Sequence, residues 1–320
     1  MELIWLTPDL REIGPAYNDI DFDVGVPDQS TNDFLMTGDI PDNAGALYVP
    51  GTEFGGLIEY KQTKNTDSLI KTKGWTWRGL LTQGIICPES GQNYYTASGD
   101  AHAIIRNLLS GFLGGLFTVP EATSGIAIPS YQFARYCTLL DGITAMLDTV
   151  GAKLRIVAQK PSSGTPVQVV VTAVPVETIG DKYTQDSPVS LTHTVDGMGV
   201  NHLICLGQGE LAERTRIDLY IDNKGVVSTT PYYTGRDERT AVYDYSSAET
   251  AESLTNYGKR RLLEVASKQS LSLDDADVDG DIGDIVYGYM DGMETTSPII
   301  QRILKYSGGF WSHESKIEGV

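Results

Sequence analysis

The strongest constraint on the fold is a run of strict alternation. Ile217, Leu219 and Ile221 alternate with Arg216, Asp218 and Tyr220, and Asp222-Asn223-Lys224-Gly225 follows. A period of two puts the apolar residues on one face of a strand, and a turn containing Asn and Gly folds the chain back. The stretch RTRIDLYIDNKGVVSTTPYY, residues 214–233, therefore reads as a β-hairpin with one face to be covered. Similar short alternating runs recur in DNAGALYVPG, YKQTKNTDSLIKTKGWTWRGLL, KLRIVAQ, PVQVVVTAVPV and SPVSLTHTV, and again from Leu271 onward. Gly, Asn and Asp punctuate them as turn residues.

Three helices interrupt these strands. In AIIRNLLSGFLGGLF, Ile104, Leu108, Phe112 and Leu116 share a helical stripe, with Ile105, Leu109 and Leu113 beside it. Tyr136, Leu139, Leu140, Ile143, Leu147 and Val150 form a second apolar face, and Gly151 can close that helix in the left-handed conformation. The third is expected in SSAETAESLTNYGKRRLLEVAS. There Ser246 and Glu249 fit a capping box, and Leu254, Leu262 and Val265 give the apolar side. The fold class is α+β and β-rich, with helices between strand blocks.

At 320 residues with 41% hydrophobic and 21% charged residues, the chain suits a globular fold of two or three domains. Its 24 Lys and Arg face 42 Asp and Glu, a net charge of −18. That balance argues against gripping nucleic acid or docking on anionic lipid, both of which need clustered cations. Cys87, Cys137 and Cys205 are too few and scattered for a disulfide framework or a zinc site. The N-terminus MELIWLTPDLREIG has no basic segment and no long apolar run, so no signal peptide is expected. AIIRNLLSGFLGGLF is too short to span a bilayer and carries Arg106.

Several motifs invite chemistry. Asp275, Asp277, Asp279 and Gly280 fit the first, third, fifth and sixth positions of an EF-hand loop. The twelfth position needs a bidentate Glu and holds Val286, and the flanks SKQSLSL and IVYGYMD are not helical, so an acidic loop between strands is expected. GQGELA, residues 207–212, matches a relaxed dinucleotide fingerprint, but a hairpin follows it instead of a helix. A glycine-rich strand bend is the better reading. His193, Asp196 and His202 match no metal-ligand spacing. GKRRLL, residues 258–263, is the one tight basic cluster and faces solvent or acidic partners from a helix. WTWRG, residues 75–79, puts Trp75 and Trp77 on one strand face with Arg78 opposite. That pair could form a sugar platform, although a core position suits it better. No nucleophile elbow, Walker loop or HExxH is present. We therefore expect no enzyme activity and no catalytic, cofactor-binding or metal-binding residues.

Three stretches, in order, resemble the tail hub (baseplate hub) proteins of Gram-positive phages and prophage-like tail particles. They are YVPGTEFGGLIEYKQTKNTDSLIKTKGWTWRGLLTQGIICPESGQNY, NHLICLGQGELAERTRIDLYIDNKG and DIGDIVYGYMDGMETTSPIIQRILKYSGGFWSHESKIEG. These hubs are similar in fold to the baseplate hub of contractile tails. The resemblance implies two tube-like β-barrel domains with inserted α/β and helical segments. It divides the chain into a first part of a tube-like barrel (1–96), a helical or α+β insertion (97–155), a second β domain (156–240), a helical segment (241–270) and strands completing a barrel (271–320).

The resemblance also implies a homotrimer in the virion tail or a tail-like particle, assembled in the bacterial host cytoplasm. Its partners would be its own copies, the tail tube protein, distal tail, spike or baseplate proteins, and the tape measure protein. DNA or effectors would pass without specific binding, and this chain would bind no membrane. Receptor binding and wall digestion would fall to other subunits. In this family Asp281-Ile282-Gly283-Asp284-Ile285-Val286 starts a late barrel strand: Gly283 allows the turn, Asp284 ties it, and Ile285 and Val286 begin the strand. The alternative is a wall-active or carbohydrate-binding tail-tip protein, supported only by the tryptophan pair.

Overall fold

The computed structural model describes residues 1–27, 30–64, 67–184, 190–223, 225–248, 250–274, 278, 280–290 and 293–317. The first part of the chain holds β1 (Leu3–Leu6), β2 (Glu12–Ala16), β3 (Asp19–Gly25), β4 (Asp33–Thr37), β5 (Ala46–Tyr48), β6 (Gly55–Leu57), β7 (Tyr60–Lys64) and β8 (Asp67–Trp75). The middle holds α1 (Trp77–Leu80), β9 (Thr96–Asp100), α2 (Ala101–Leu108), β10 (Phe117–Thr118), β11 (Ala127–Gln132), α3 (Leu139–Asp148), β12 (Ala152–Gln159), β13 (Gln168–Pro175) and β14 (Thr178–Thr184). Then follow β15 (Ser190–Asp196), β16 (His202–Leu206), β17 (Arg216–Ile221), β18 (Val227–Ser228), β19 (Thr240–Asp244), α4 (Ala251–Val265) and β20 (Lys268–Asp274). Strands β21 (Ile285–Met290), β22 (Met293–Ser307) and β23 (Phe310–Ile317) come last. The protein is β-rich with few helices.

These elements form two compact units, one of residues 1–192 and from 272 onward, the other of residues 193–271. The cut differs from the five segments expected from the family resemblance. The second unit begins at His193, not at residue 156, and it takes in the helix of 241–270. The cause is the apolar side of α4. Leu254 and Leu262 are fully buried there with Leu203, Cys205 and Leu219 of β16 and β17. The helix has no separate core of its own to join.

In the first unit the largest sheet has the order β14-β21-β22-β3-β4-β8-β7, with β23 also paired to β22. Among the described residues no pairing joins β7 to β14, and no closed barrel is found there. The β22–β3 ladder brings the two ends of the chain into one sheet, with Leu304 opposite Phe22 and Lys305 opposite Asp21. One face of β3 and β4 is apolar and buried: Ile20, Phe22, Val24, Phe34 and Met36 pack there with Phe54 and Leu304. A four-stranded sheet, β2-β1-β5-β6, contributes to the same core through Leu3, Trp5 and Leu47. A larger core gathers α1, α2, α3, β12 and β13.

Two helices depart from the sequence expectation. The helix starting at Ala101 stops at Leu108, because Gly111, Gly114 and Gly115 take left-handed backbone and Leu113, between them, does so too at φ 46°. The apolar stripe drawn through Leu116 therefore breaks into a looped turn, with Leu113 exposed. The second helix starts at Leu139, capped by Thr138, and Tyr136 lies in the loop before it at φ 60°. Gly151 does close it, at φ 65°. α4 begins later than the capping box suggests. Its cap is Thr250, whose hydroxyl accepts from the Ser253 N–H at 3.1 Å, and Glu249 lies outside the described residues.

In the second unit the sheet order is β18-β17-β16-β19. The expected hairpin is present, with Tyr220 opposite Ser228 and Ile221 opposite Val227. α4 covers one face. Gly258 permits that contact, since a Cβ there would lie 2.5 Å from the Cys205 Sγ and 2.8 Å from Leu219.

Candidate functional site

The main sheet of the first unit has a second face, opposite its buried one. Alternation on β3 sends Ile20, Phe22 and Val24 inward and leaves Asp19, Asp21 and Asp23 on the other side. Directly opposed residues in a ladder share a face. Register therefore adds Ile303 and Lys305 from β22, Glu314 and Ser312 from β23, Leu35 and Thr37 from β4, Lys71 and Lys73 from β8, and Tyr60 and Gln62 from β7. The centre of the face is acidic and its β7–β8 edge is basic.

The acidic centre is crowded. Lys305 reaches the Asp21 carboxylate at 3.7 Å. Burial pushes the Asp21 carboxyl above its ordinary range, Lys305 opposes this, and the negative charges of Asp23 and Glu314 add to it. Asp23 accepts hydrogen bonds from Ser30 Oγ at 2.6 Å, Thr31 Oγ1 at 3.0 Å and Gln301 Nε2 at 2.6 Å. These hold its carboxylate in place on the face.

The turn ahead of β21 matches its sequence reading. Gly283 takes φ 94°, and Asp284 is buried with its two oxygens accepting the N–H groups of Glu177 at 2.9 Å and Asp281 at 2.8 Å. Lys153 Nζ pairs with the same carboxylate. Val286 is fully buried in a core with Val278, Ile299 and Ile317. The residue in place of the calcium-binding Glu is thus a core residue. Asp275, Asp277 and Asp279 lie outside the described residues. Among the described residues no group of three His, Cys, Asp or Glu side chains is placed to hold a metal ion.

WTWRG is not a strand platform. Trp75 ends β8, Thr76 caps α1, and Trp77 is fully buried as the first residue of that short helix. Arg78 is buried too, paired with Glu53 at 2.9 Å and donating to the Leu154 carbonyl at 3.2 Å. A sugar has no access to Trp77, which removes the support for the carbohydrate-binding alternative.

GQGELA forms the loop from β16 to β17 and contains a single turn of 3-10 helix at Leu211–Glu213, so no helix N-terminus faces an anion there. The three candidate metal ligands are not one site. His193 lies in β15, and its side chain lies outside the described ones. Asp196 Oδ1 accepts from the Met198 N–H. His202 is buried on β16, with Nδ1 2.6 Å from Glu238, Nε2 2.9 Å from Asp218, and its ring stacked on Tyr220. Arg216 holds the Asp218 carboxyl below its ordinary range through hydrogen bonds; burial opposes this, and His202 adds to it. With Thr240 Oγ1 of β19 also 3.1 Å from Nδ1, this network joins three strands of one sheet, a role that accounts for His202 without a ligand. In GKRRLL, Lys259, Arg260 and Arg261 face solvent from α4 while Gly258 and Leu262 are buried. No described helix is long and apolar enough to cross a membrane.

No protein-family model and no curated protein matches the sequence. The fold does match solved structures. The 43 kDa tail protein of prophage MuSo2 from Shewanella oneidensis aligns over 100% of this chain and 98% of its own, with TM-score 0.58 and 13% identity. The tail protein from Neisseria meningitidis MC58 aligns over 99% of this chain and 96% of its own, with TM-score 0.53 and 13% identity. Prophage tail protein gp18 from Listeria monocytogenes EGD-e aligns over 99% and 94%, with TM-score 0.50 and 13% identity. The chain therefore has the fold of phage tail proteins, along its whole length. The three come from different bacteria, so the likeness carries no restriction to phages of Gram-positive hosts.

Proposed function

Because the chain has the fold of phage tail proteins, we propose that it is a structural tail hub and not an enzyme. In this reading three copies form a ring that connects the tail tube to the tail tip or baseplate. Each copy contributes two tube-like β-barrel domains, one of them built on the sheet that joins residues 1–96 to 271–320. The end-to-end match, covering 94–98% of the three similar tail proteins, carries the reading.

The acidic face supports the channel. A polyanion adheres to a basic wall by releasing counterions, while an acidic wall repels it and lets it slide. The stretch 193–271 holds nine Lys and Arg against eleven Asp and Glu, so nearly all of the net −18 belongs to the rest of the chain. We assign Asp19, Asp21, Asp23 and Glu314 to the lumen wall and GKRRLL to a surface away from it. DNA or effectors pass without specific contacts. The neighbours are the tail tube protein, the tape measure protein and the distal tail, spike or baseplate proteins. The particle assembles in the bacterial host cytoplasm.

Deletion of the coding sequence tests the role. Particles made without the protein should have tubes that lack a distal structure and fail to deliver their contents. Complete tips on such particles, or host-wall clearing by the purified protein that is lost on substituting one Asp or Glu, would overturn it.

A further inference from the structure

We propose that the loop tip at Leu211 is a knob by which one copy of this chain seats on the β7–β8 edge of a second copy. Leu211 is 96% exposed and takes φ 50°, a left-handed conformation disfavoured for a leucine. Strain kept at a fully exposed apolar residue points to use elsewhere than in the core.

The loop beneath it is tied down. Gly207 N–H donates to Thr215 O at 2.8 Å, Thr215 N–H to Gln208 O at 2.9 Å, and Glu213 N–H to Glu210 O at 3.0 Å. Arg214 Nε adds a bond to Gly207 O at 3.0 Å. Glu210 and Glu213 flank the tip, both exposed, and neither has an ion-pair partner among the described residues. The knob is thus a fixed leucine between two carboxylates.

The complementary surface is on the first unit. Leu35, 40% exposed, and Tyr60, 49% exposed, lie on either side of Lys73 in register, with Lys71 two residues along β8. Lys71 and Lys73 are exposed and have no carboxylate in salt-bridge range among the described residues. In so acidic a chain, lysines without partners beside an apolar strip match a leucine between unpaired glutamates. Leu35 has Asp21 beside it on the same face, but Lys71 and Lys73 outweigh that charge. The groove lined by Tyr17, Asp19, Asp39 and Ile40 is a poorer seat, because it has two aspartates and no lysine or arginine to meet Glu210 and Glu213. Knob and seat are different surfaces, so the contact can repeat head-to-tail from copy to copy, and such a contact makes a ring when its rotation closes. The inference deepens the hub reading and rests on it for the ring.

Cross-linking tests it in assembled particles. In a Cys87→Ser background, Leu211→Cys with Lys73→Cys should give covalent dimers and trimers of this chain, and neither cysteine alone should. Charge reversal supplies the second arm. Glu210→Lys with Glu213→Lys should weaken self-association of the chain by about tenfold or more. Adding Lys71→Glu and Lys73→Glu should restore it. Leu211→Gly relieves the strain, so it should leave the melting temperature unchanged or higher while abolishing the contact. Cross-links to another particle protein, no cross-links, or failure of the second reversal to restore association would overturn the proposal. A particle map that moves the subunit away from the tube end with the cross-link intact would instead sink the hub reading alone.

Discussion

Asp284→Ala should destabilise the first unit by about 4 kcal/mol, because it breaks a buried ion pair and strips two backbone donors at once. Asp284 is 4% exposed and Lys153 is 7% exposed. With the carboxylate gone, the one carboxylate left to the Lys153 ammonium among the described residues is Asp281, at 3.7 Å, which is partly exposed and shared with Arg155 at 3.1 Å. Leaving one member of a buried pair alone costs roughly 3–5 kcal/mol. The N–H groups of Glu177 and Asp281 also lose their acceptors. Orphaned donors cost about 1–3 kcal/mol each when water cannot reach them, and less at a turn where it can. A unit of this size shifts by roughly 2–4 °C per kcal/mol, so calorimetry should show a fall of about 8–16 °C. Lys153→Met with Asp284→Ala should recover part of the loss, giving a coupling of about 2–3 kcal/mol in the double-mutant cycle. A loss under about 1 kcal/mol, or strict additivity, would show that the pair does not hold this turn.

Three further outcomes follow from the same contacts. Gly258→Ala should cost about 1–3 kcal/mol in urea unfolding despite its better helix propensity, because the new methyl meets Cys205 and Leu219, and Cys205→Ala should recover part of it. Asp218 is depressed in the fold, mainly by Arg216, so its stabilising contribution is present above its unfolded value and is lost as pH falls below about 4. Arg216→Ala should flatten that acid loss in unfolding curves of the second unit; an unchanged curve would refute the assignment. Thermal unfolding should give the same midpoint in calcium and in chelator, since Val286 is a core residue where an EF-hand needs Glu, and a large rise with calcium would contradict this.

Local pattern carried much of the fold. The Arg216–Ser228 hairpin was legible because strict alternation and an Asn-Lys-Gly turn act within a dozen residues. The Gly283–Asp284 turn was legible through family resemblance, and its geometry explains why Gly and Asp are needed there. Failures came where backbone conformation overrode side-chain pattern. The stripe through Leu113 and Leu116 ignores three left-handed glycines. Trp75 and Trp77 read as alternating residues of a strand, but Thr76 ends the strand by capping a helix. The opposition of Lys305 and Asp21 was out of reach, because a ladder across almost the full chain leaves no local periodicity. The acidic face was half visible. The run Asp19-Ile20-Asp21-Phe22-Asp23 shows its alternation in the sequence, but only the sheet shows that Glu314 joins it.

The most direct test of the account is a reconstruction of the assembled particle with this subunit located. The account predicts a three-fold ring at the end of the tail tube, with Asp19, Asp21, Asp23 and Glu314 facing the channel and Lys259, Arg260 and Arg261 away from it. A peripheral position, a symmetry unrelated to three, or a channel lined mainly by Lys and Arg would contradict it.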